Sequence, residues 1–235
     1  MYKLSEKGER IRSMFNDIAP RYDFLNRLLS FGIDRRWRRF AVGRIGNVTT
    51  GRILDVATGT GDVALEVACR TPEEVGIVGV DFSREMVELA MRKVGSSPHT
   101  GRITFEVAPC EALPFPDESF EAVTIAFGIR NVVDRAQGLG EMRRVLRHGG
   151  RLVILEFSTP RSLLFKSIYY FYFLRVLPVI GGLLSRFSAY KYLPDSVLEF
   201  SSREEFKGLM ASTGFRNLDH FELTGGIATV YVGEK

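Results

Sequence analysis

The stretch from residue 53 to residue 64 constrains the fold more than any other part of the chain. It begins with the apolar run Ile-Leu-Asp-Val, passes through a turn that contains Gly59 and Gly61, and continues as an apolar helical pattern. Asp81 closes the next apolar run, 20 residues beyond Gly61, where its carboxylate can accept hydrogen bonds from both hydroxyls of a ribose. Strand, glycine turn, helix and distal acid together predict a nucleotide- or nucleoside-binding site in an α/β fold.

The rest of the chain continues this alternation of strand and helix. The predicted strands cover residues 52–57, 76–81, 103–108, 122–127, 151–157, 218–223 and 227–232, and the predicted helices cover 61–70, 84–94, 135–146 and 202–213. Such a pattern predicts an open, mostly parallel sheet with helices on both faces. The last two strands are separated by Gly225 and Gly226, and we expect them to pair as a hairpin.

Two further regions complete the predicted organisation. Residues 1–50 read as a helical cap, 51–235 as the main domain, and 162–187 as a helical insertion within it. The cap carries 11 Lys and Arg against 5 Asp and Glu, whereas residues 51–160 carry 12 against 16. An acidic main domain argues against a nucleic-acid groove, and we expect no nucleic-acid partner.

Residues 162–187 form the most apolar part of the sequence, and their length would suffice for a membrane span of about 20 residues. Lys166, Arg175 and Pro178 interrupt this segment and disfavour spanning. We therefore expect a lid whose outer face meets lipid, so that the protein contacts a membrane peripherally. The basic run 35–39, with Trp37 in its centre, would add attraction for anionic headgroups.

Composition excludes several other classes of protein. An apolar fraction of 45% and a charged fraction of 26% are typical of a globular chain. The two cysteines cannot form a disulfide framework, which favours a reducing cytoplasm. The cysteines and the three histidines show no metal-ligand spacing, so we expect no metal site. A homo-oligomer is compatible with these features.

The glycine turn by itself is compatible with two kinds of ligand. Read as Gly-x-Gly-x-x-Ala, it satisfies the fingerprint of a dinucleotide-binding oxidoreductase. Asp55, however, would repel a pyrophosphate and could help to hold an ammonium group, which favours S-adenosylmethionine. The Tyr231–Lys235 pair has the spacing of a dehydrogenase catalytic pair but stands at the terminus, where a catalytic lysine is not expected. A nicotinamide oxidoreductase and a non-catalytic binding scaffold remain as alternatives.

Several longer motifs resemble those of one family, the ubiquinone/menaquinone biosynthesis C-methyltransferases. The motifs lie at residues 15–23 (Phe-Asn-Asp-Ile-Ala-Pro-Arg-Tyr-Asp), 28–32, 55–62, 112–117, 127–132 (Phe-Gly-Ile-Arg-Asn-Val), 149–152, 155–158, 190–193 and 225–228. The resemblance implies the class I methyltransferase fold, with seven strands of which the last is antiparallel. It also implies methyl transfer to a ring carbon of a polyprenylated quinol. Demethylmenaquinol is the first choice, and the equivalent ubiquinone-pathway methylation is the alternative.

The resemblance also implies a set of cofactor-binding residues. Thr58 and the glycine turn match the contact to the methionine end of the cofactor, and Asp81 matches the ribose acid. Pro109 and Cys110 depart from the family's usual Asn or Asp followed by Ala, so adenine recognition must rest on backbone, with Cys110 as the donor. The full expected set is Tyr22, Asp55, Thr58, Gly59, Thr60, Gly61, Asp81, Phe82, Pro109, Cys110 and Phe127.

The expected chemistry needs no metal, because the methyl group of a sulfonium is already activated. An aromatic carbon becomes a good nucleophile when the adjacent hydroxyl loses its proton, so the site must stabilise a phenolate. Arg130 fits this role better than that of a base, and Asn131 could orient a water that carries the proton away. Tyr22 and Phe127 could face the sulfonium as cation–π partners.

Overall fold

The computed structural model describes residues 5–160 and 187–235. Three helices precede the sheet and coincide with the predicted cap: α1 (Glu6–Ile18), α2 (Tyr22–Leu29) and α3 (Asp34–Val42). Pro20 lies in a single 3₁₀ turn between α1 and α2, as expected for a residue without a backbone N–H. Helix α1 packs against the helix Arg84–Gly95, and α3 packs against the helix Asp62–Ala68 and the strand Leu146–Phe157.

Seven strands form one sheet in the order β3-β2-β1-β4-β5-β7-β6. The strands are β1 (Arg52–Val56), β2 (Gly76–Asp81), β3 (Ile103–Val107), β4 (Phe120–Ala126), β5 (Leu146–Phe157), β6 (Arg216–Leu223) and β7 (Ala228–Glu234). Strands β1 to β5 pair in parallel, whereas β7 runs antiparallel to both β5 and β6. The predicted α/β fold, with a mostly parallel sheet and an antiparallel last strand, is confirmed.

Helices cover both faces of this sheet. They are α4 (Asp62–Ala68), α5 (Arg84–Gly95), α6 (Arg135–Val145), α7 (Phe187–Leu198) and α8 (Arg203–Ser212). One core cluster joins the sheet to α3 and α4 around Trp37 and Val67, and a second joins it to α6 and α8 around Met142 and Phe206. Alternate strand residues supply the two clusters, since neighbouring side chains on a strand point to opposite faces.

Local sequence explains where most of these helices begin. The side chains of Ser83, Asp134 and Ser202 each accept a hydrogen bond from a backbone N–H in the first turn of α5, α6 and α8. Ser202 also forms a reciprocal capping box with Glu205. These caps hold the loops at the carboxyl edge of the sheet, where the candidate site lies.

The structure differs from the sequence prediction at three points. Helix α7 was not predicted, because Pro194 inside it disfavours a helix. Strand β5 begins at Leu146, where the sequence pattern predicted the end of a helix. Trp37 does not lie on a basic surface: it is buried, and its indole N–H donates to Thr224 Oγ1 at 2.8 Å.

The expected insertion at 162–187 lies outside the described residues except for Phe187, which begins α7. Its proposed role as a lid therefore stays a prediction. In the two described stretches, no helix is both long enough and apolar enough to cross a membrane.

Candidate active site

A cleft opens at the carboxyl ends of β1, β2 and β4. Ligands bind at this edge in open α/β sheets, because the loops there leave the sheet in opposite directions. The lining residues are Gly8, Phe15, Tyr22, Ala57, Gly59, Asp81, Phe82, Met86, Ala108, Pro109, Cys110, Glu111, Ala126, Phe127, Gly128, Asn131, Val132 and Val133. Eight expected site residues are thus brought together in one cleft: Tyr22, Gly59, Asp81, Phe82, Pro109, Cys110, Phe127 and Asn131.

Two strands leave the sheet at this cleft through residues in the left-handed conformation. Ala57 follows β1 with φ 50° and Phe127 follows β4 with φ 57°. Such backbone is unfavourable for residues with a Cβ and is found preferentially at functional sites. Gly59 has φ 55°, which a glycine adopts without strain. The strained ends shape the floor of the cleft, and no sequence signal at Ala57 or Phe127 would have revealed them.

Asp81, the last residue of β2, lies on the cleft and organises two of its loops. Its Oδ2 accepts the N–H of Gly59 and its Oδ1 accepts the N–H of Ser83, both at 2.9 Å. Burial raises the pKa of this carboxyl to about 6. A carboxylate has about four acceptor sites, so it can accept ribose hydroxyls in addition to these backbone groups. The cleft therefore fits a nucleoside.

Asp55 does not line the cleft, although the sequence placed it among the cofactor-binding residues. It is only 1% exposed, and its two carboxyl oxygens accept the hydroxyls of Thr58 at 2.6 Å and Thr124 at 2.9 Å. Asp55 pairs with Gly79, two residues before Asp81, so it lies about 7 Å deeper along the strand direction. Burial raises its pKa to about 7. It supports the turn from below.

The remaining turn residues, Thr58, Thr60 and Gly61, do not line the cleft either. Thr58 donates to Asp55, and Thr60 donates to Asp23 Oδ1 of α2 at 2.5 Å. Gly61 precedes α4 with φ 83°, and a Cβ there would come within 3.3 Å of Ala90. In the described part of the chain these residues hold the turn in place, and Gly59 alone of the expected turn residues lines the cleft.

The wall beyond Asp81 is mostly apolar, as an adenine ring requires. Phe82, Met86, Ala108, Pro109 and Cys110 all line it. Cys110 is buried, and this burial raises the pKa of its thiol well above the ordinary range. Its side chain is therefore an uncharged apolar surface. These residues fit the adenosine part of S-adenosylmethionine, with Asp81 at the ribose.

Arg130 differs most from its expected position. Its side chain is 6% exposed and, in the described residues, does not line the cleft. Its Nη1 lies 2.7 Å from Glu156 Oε1 and donates to the carbonyl of Phe127 at 2.6 Å. The guanidinium is thus neutralised by a fully buried carboxylate, and it holds the turn after β4. This corrects the picture of a free cation facing the substrate.

Asn131 lies on the cleft as expected, and a residue that the sequence did not single out contacts it. The Tyr192 hydroxyl of α7 lies 2.9 Å from Asn131 Oδ1. Glu156 was also missed; its signals were an acid near the end of a predicted strand and its place in the motif at 155–158. Tyr192 lies within a motif shared with the family, but its sequence position gives no sign that α7 reaches this loop.

The N-terminal helices cover the glycine turn. Tyr22 lines the cleft, and burial raises the pKa of its hydroxyl. Asp23, next to it, accepts a hydrogen bond from Thr60 and lies 2.5 Å from Lys93 Nζ of α5. Lys93 also lies 2.7 Å from Asp62 at the start of α4. This polar cluster holds α2 against the turn.

Within residues 5–160 and 187–235, no group of acidic, histidine or cysteine side chains could hold a metal ion.

Structural relatives define the class of the protein. The fold matches a putative S-adenosyl-L-methionine-dependent methyltransferase from Methanococcus maripaludis with a TM-score of 0.69 and 18% identity, over 100% of this chain and 97% of that one. It matches phosphoethanolamine N-methyltransferase 2 of Haemonchus contortus, in complex with S-adenosyl-L-methionine, with a TM-score of 0.63 and 18% identity, over 85% and 52% of the two chains. The fold is that of the Rossmann-like class I methyltransferases.

Sequence relatives then identify the family. Residues 3–235 match the ubiE/COQ5 methyltransferase family, and the chain belongs to it. It is 73% identical over 235 residues, 100% of both chains, to the ubiquinone/menaquinone biosynthesis C-methyltransferase UbiE of Geotalea uraniireducens. It is 50% identical to the demethylmenaquinone methyltransferase of Thermus thermophilus, over 94% of this chain and 100% of that one. The protein is a methyltransferase whose cofactor is S-adenosylmethionine, and the resemblance seen in the sequence is confirmed.

Proposed function

We propose that this enzyme methylates a ring carbon of a polyprenylated quinol, with demethylmenaquinol as its substrate. The observation that carries the proposal is one cleft that combines Asp81, suited to a nucleoside, with Asn131 among apolar residues suited to a quinol ring. Relatives named for demethylmenaquinone methylation cover nearly the whole chain at 50% and 51% identity. The equivalent ubiquinone-pathway methylation is the second candidate, because the UbiE relatives are named for both quinones.

The cofactor supplies a methyl group that is already activated as a sulfonium. The chain's own residues therefore need only position the two reactants, exclude water and manage one proton. Asp81 holds the ribose. The faces of Tyr22 and Phe127, both on the cleft, can stabilise the positive charge. Alignment of the ring carbon with the methyl group supplies most of the remaining rate enhancement.

The ring carbon attacks best when the neighbouring hydroxyl has lost its proton. We assign to Asn131 a hydrogen bond to that oxygen, which stabilises the developing negative charge. Arg130 acts through the backbone: its bonds to Glu156 and to the Phe127 carbonyl keep the turn that presents Asn131 in one conformation.

The test is an assay of methyl transfer from labelled S-adenosylmethionine to water-soluble, short-chain quinols. We expect turnover with demethylmenaquinol and slower turnover with the corresponding ubiquinone-pathway benzoquinol; the reverse order would exchange the two candidates. Titration with S-adenosylmethionine and with NAD tests the alternative of a nicotinamide oxidoreductase, because tight binding of NAD alone would contradict the proposal. Binding of S-adenosylmethionine without any turnover would favour the non-catalytic scaffold.

We further propose that the enzyme works at an anionic membrane surface on the cytoplasmic side, where a polyprenylated quinol resides. Phe24 and Phe31 on the cap are 61% and 83% exposed, and Phe31 adopts an unfavourable φ of 50°. Arg35 and Arg36 at the start of α3 are exposed as well. Exposed aromatic rings beside arginines suit the interface of a bilayer with anionic headgroups.

Sedimentation with anionic liposomes tests this second proposal. We expect salt-sensitive binding that Arg36→Glu and Phe31→Ser weaken, whereas the same charge change at an exposed site on β6, Arg216→Glu, leaves it unchanged. Equal losses for the two arginine variants would mean that only net charge matters. Absence of binding at low salt would overturn the proposal.

A further inference from the structure

Helix α7 meets the dipeptide Arg130-Asn131 through two hydroxyl groups that lie one turn apart. The Tyr192 hydroxyl is 2.9 Å from Asn131 Oδ1, and Ser196 Oγ is 3.3 Å from Arg130 Nε. Residues four apart on a helix share a face, so one face of α7 contacts both members of the pair. Among the described residues Asn131 lines the cleft and Tyr192 does not, so the contact of Tyr192 with the cleft runs through the Asn131 amide.

The hydrogen-bond partners of Asn131 fix the direction of its amide group. The carbonyl of Phe127, 3.4 Å from Asn131 Nδ2, can only accept a hydrogen bond, so the amide nitrogen must face it. The amide oxygen then faces Tyr192, and the Tyr192 hydroxyl must be the donor. Burial raises the pKa of Tyr192, which keeps this hydroxyl protonated. Tyr192 is therefore a hydrogen-bond donor and not the acceptor of the quinol proton.

We propose that Tyr192 is a positioning residue for methyl transfer, whose hydroxyl locks the Asn131 amide so that the second Nδ2 hydrogen is presented to the quinol oxygen. The proposal rests on the proposed function for the identity of that oxygen. An unlocked amide can rotate and offer its oxygen instead, which would repel a phenolate. Loss of the Tyr192 hydroxyl should therefore reduce the rate of the chemical step and leave cofactor binding intact.

Kinetics of Tyr192→Phe give the first test, because phenylalanine keeps the ring and removes only the hydroxyl. We expect kcat to fall about tenfold, the loss typical of one hydrogen bond in the transition state, with the affinity for S-adenosylmethionine unchanged. The double variant Tyr192→Phe with Asn131→Ala should be no slower than Asn131→Ala by itself, since both changes remove the same interaction. Additive losses, or an unchanged kcat in Tyr192→Phe, would overturn the proposal.

A spectroscopic readout separates this proposal from the identity of the substrate. The chain contains five asparagines, so selective ¹⁵N labelling yields five side-chain amide pairs, and Asn131→Asp identifies the relevant pair by its loss. Tyr192→Phe should shift that pair. Tyr231→Phe, the same change in a buried tyrosine of the core, should not. An unmoved Asn131 signal overturns the positioning role, whereas a shifted signal without turnover on any quinol would overturn only the proposed function.

Discussion

The two halves of the cleft each carry a pair of polar residues, of which one reaches the cleft and the other is buried. In the cofactor half, at the ends of β1 and β2, Asp81 lines the cleft and Asp55 lies beneath it. In the substrate half, after β4, Asn131 lines the cleft and Arg130 lies beneath it. Arg130 supports the turn that presents Asn131, and Asp55 accepts the hydroxyl of Thr58 in the glycine turn, whose Gly59 N–H bonds Asp81.

The two buried residues are stabilised in different ways. Asp55 accepts hydrogen bonds from two neutral hydroxyls, and burial raises its pKa to about 7, which favours the neutral acid. Arg130 stays charged and depends on Glu156, which is fully buried. Loss of a partner should therefore be far more damaging in the substrate half than in the cofactor half.

The largest expected effect is on stability. Glu156→Ala leaves the Arg130 guanidinium buried without its counter-charge, which typically costs about 3–5 kcal/mol in the free energy of unfolding. Asp117→Ala removes an exposed partner of Arg144 and should cost less than about 1 kcal/mol. Urea denaturation measures both. Similar losses for the two variants would show that burial does not distinguish these pairs.

Substitution of Asp81 should weaken cofactor binding strongly, whereas substitution of Asp55 should hardly change it. Asp81→Ala removes the acceptor of the ribose hydroxyls, and we expect a loss of about 2–4 kcal/mol in affinity for S-adenosylmethionine. Asp55→Asn keeps a neutral group able to bond both threonines, so the affinity should stay within about threefold. Calorimetric titration of the two variants decides the matter. A larger loss in Asp55→Asn would return Asp55 to the cofactor-binding set.

The pKa of Asp81 predicts a pH dependence of the same affinity. Ribose hydroxyls donate to the ionised carboxylate, and a pKa of about 6 means that the free protein is protonated there below that pH. Binding must then release a proton, so affinity should fall as the pH decreases through 6, by about tenfold at pH 5. Asp55→Asn should retain this profile, whereas loss of the profile in that variant would assign the titration to Asp55.

The sequence was sufficient for the sheet and for most elements that surround the site, whereas α7 was not predicted. Periodicity located all seven strands, because short apolar runs alternate along the chain with amphipathic helical patterns or turns. Strand β2 was predicted with its observed bounds, which placed Asp81 at the edge of the sheet. Aligning β1 with β2 in the same way would have placed Asp55 two residues below that edge, because Asp55 pairs with Gly79 and not with Asp81.

Contacts between distant segments were beyond the reach of the sequence. Glu156 meets Arg130 because β4 and β5 are neighbours in the sheet, and Tyr192 meets Asn131 because α7 returns to that edge. A single sequence contains the residue types but not their distances. The sequence therefore predicted Arg130 as a free cation, and its ion pair with Glu156 is visible only in the structure.

The smallest expected effect concerns the cap over the cofactor half. Lys93 joins Asp23 of α2 to Asp62 at the start of α4, next to the cleft residue Tyr22. A partly exposed ion pair contributes about 0.5–1 kcal/mol, so Lys93→Met should weaken S-adenosylmethionine binding about two- to fivefold by loosening α2. Lys207→Met is a matched control: its side chain is equally exposed, at 25%, and its partner Glu204 lies on the same helix, α8. An equal effect at Lys207 would mean that the loss of a charge, and not the release of the cap, weakens binding.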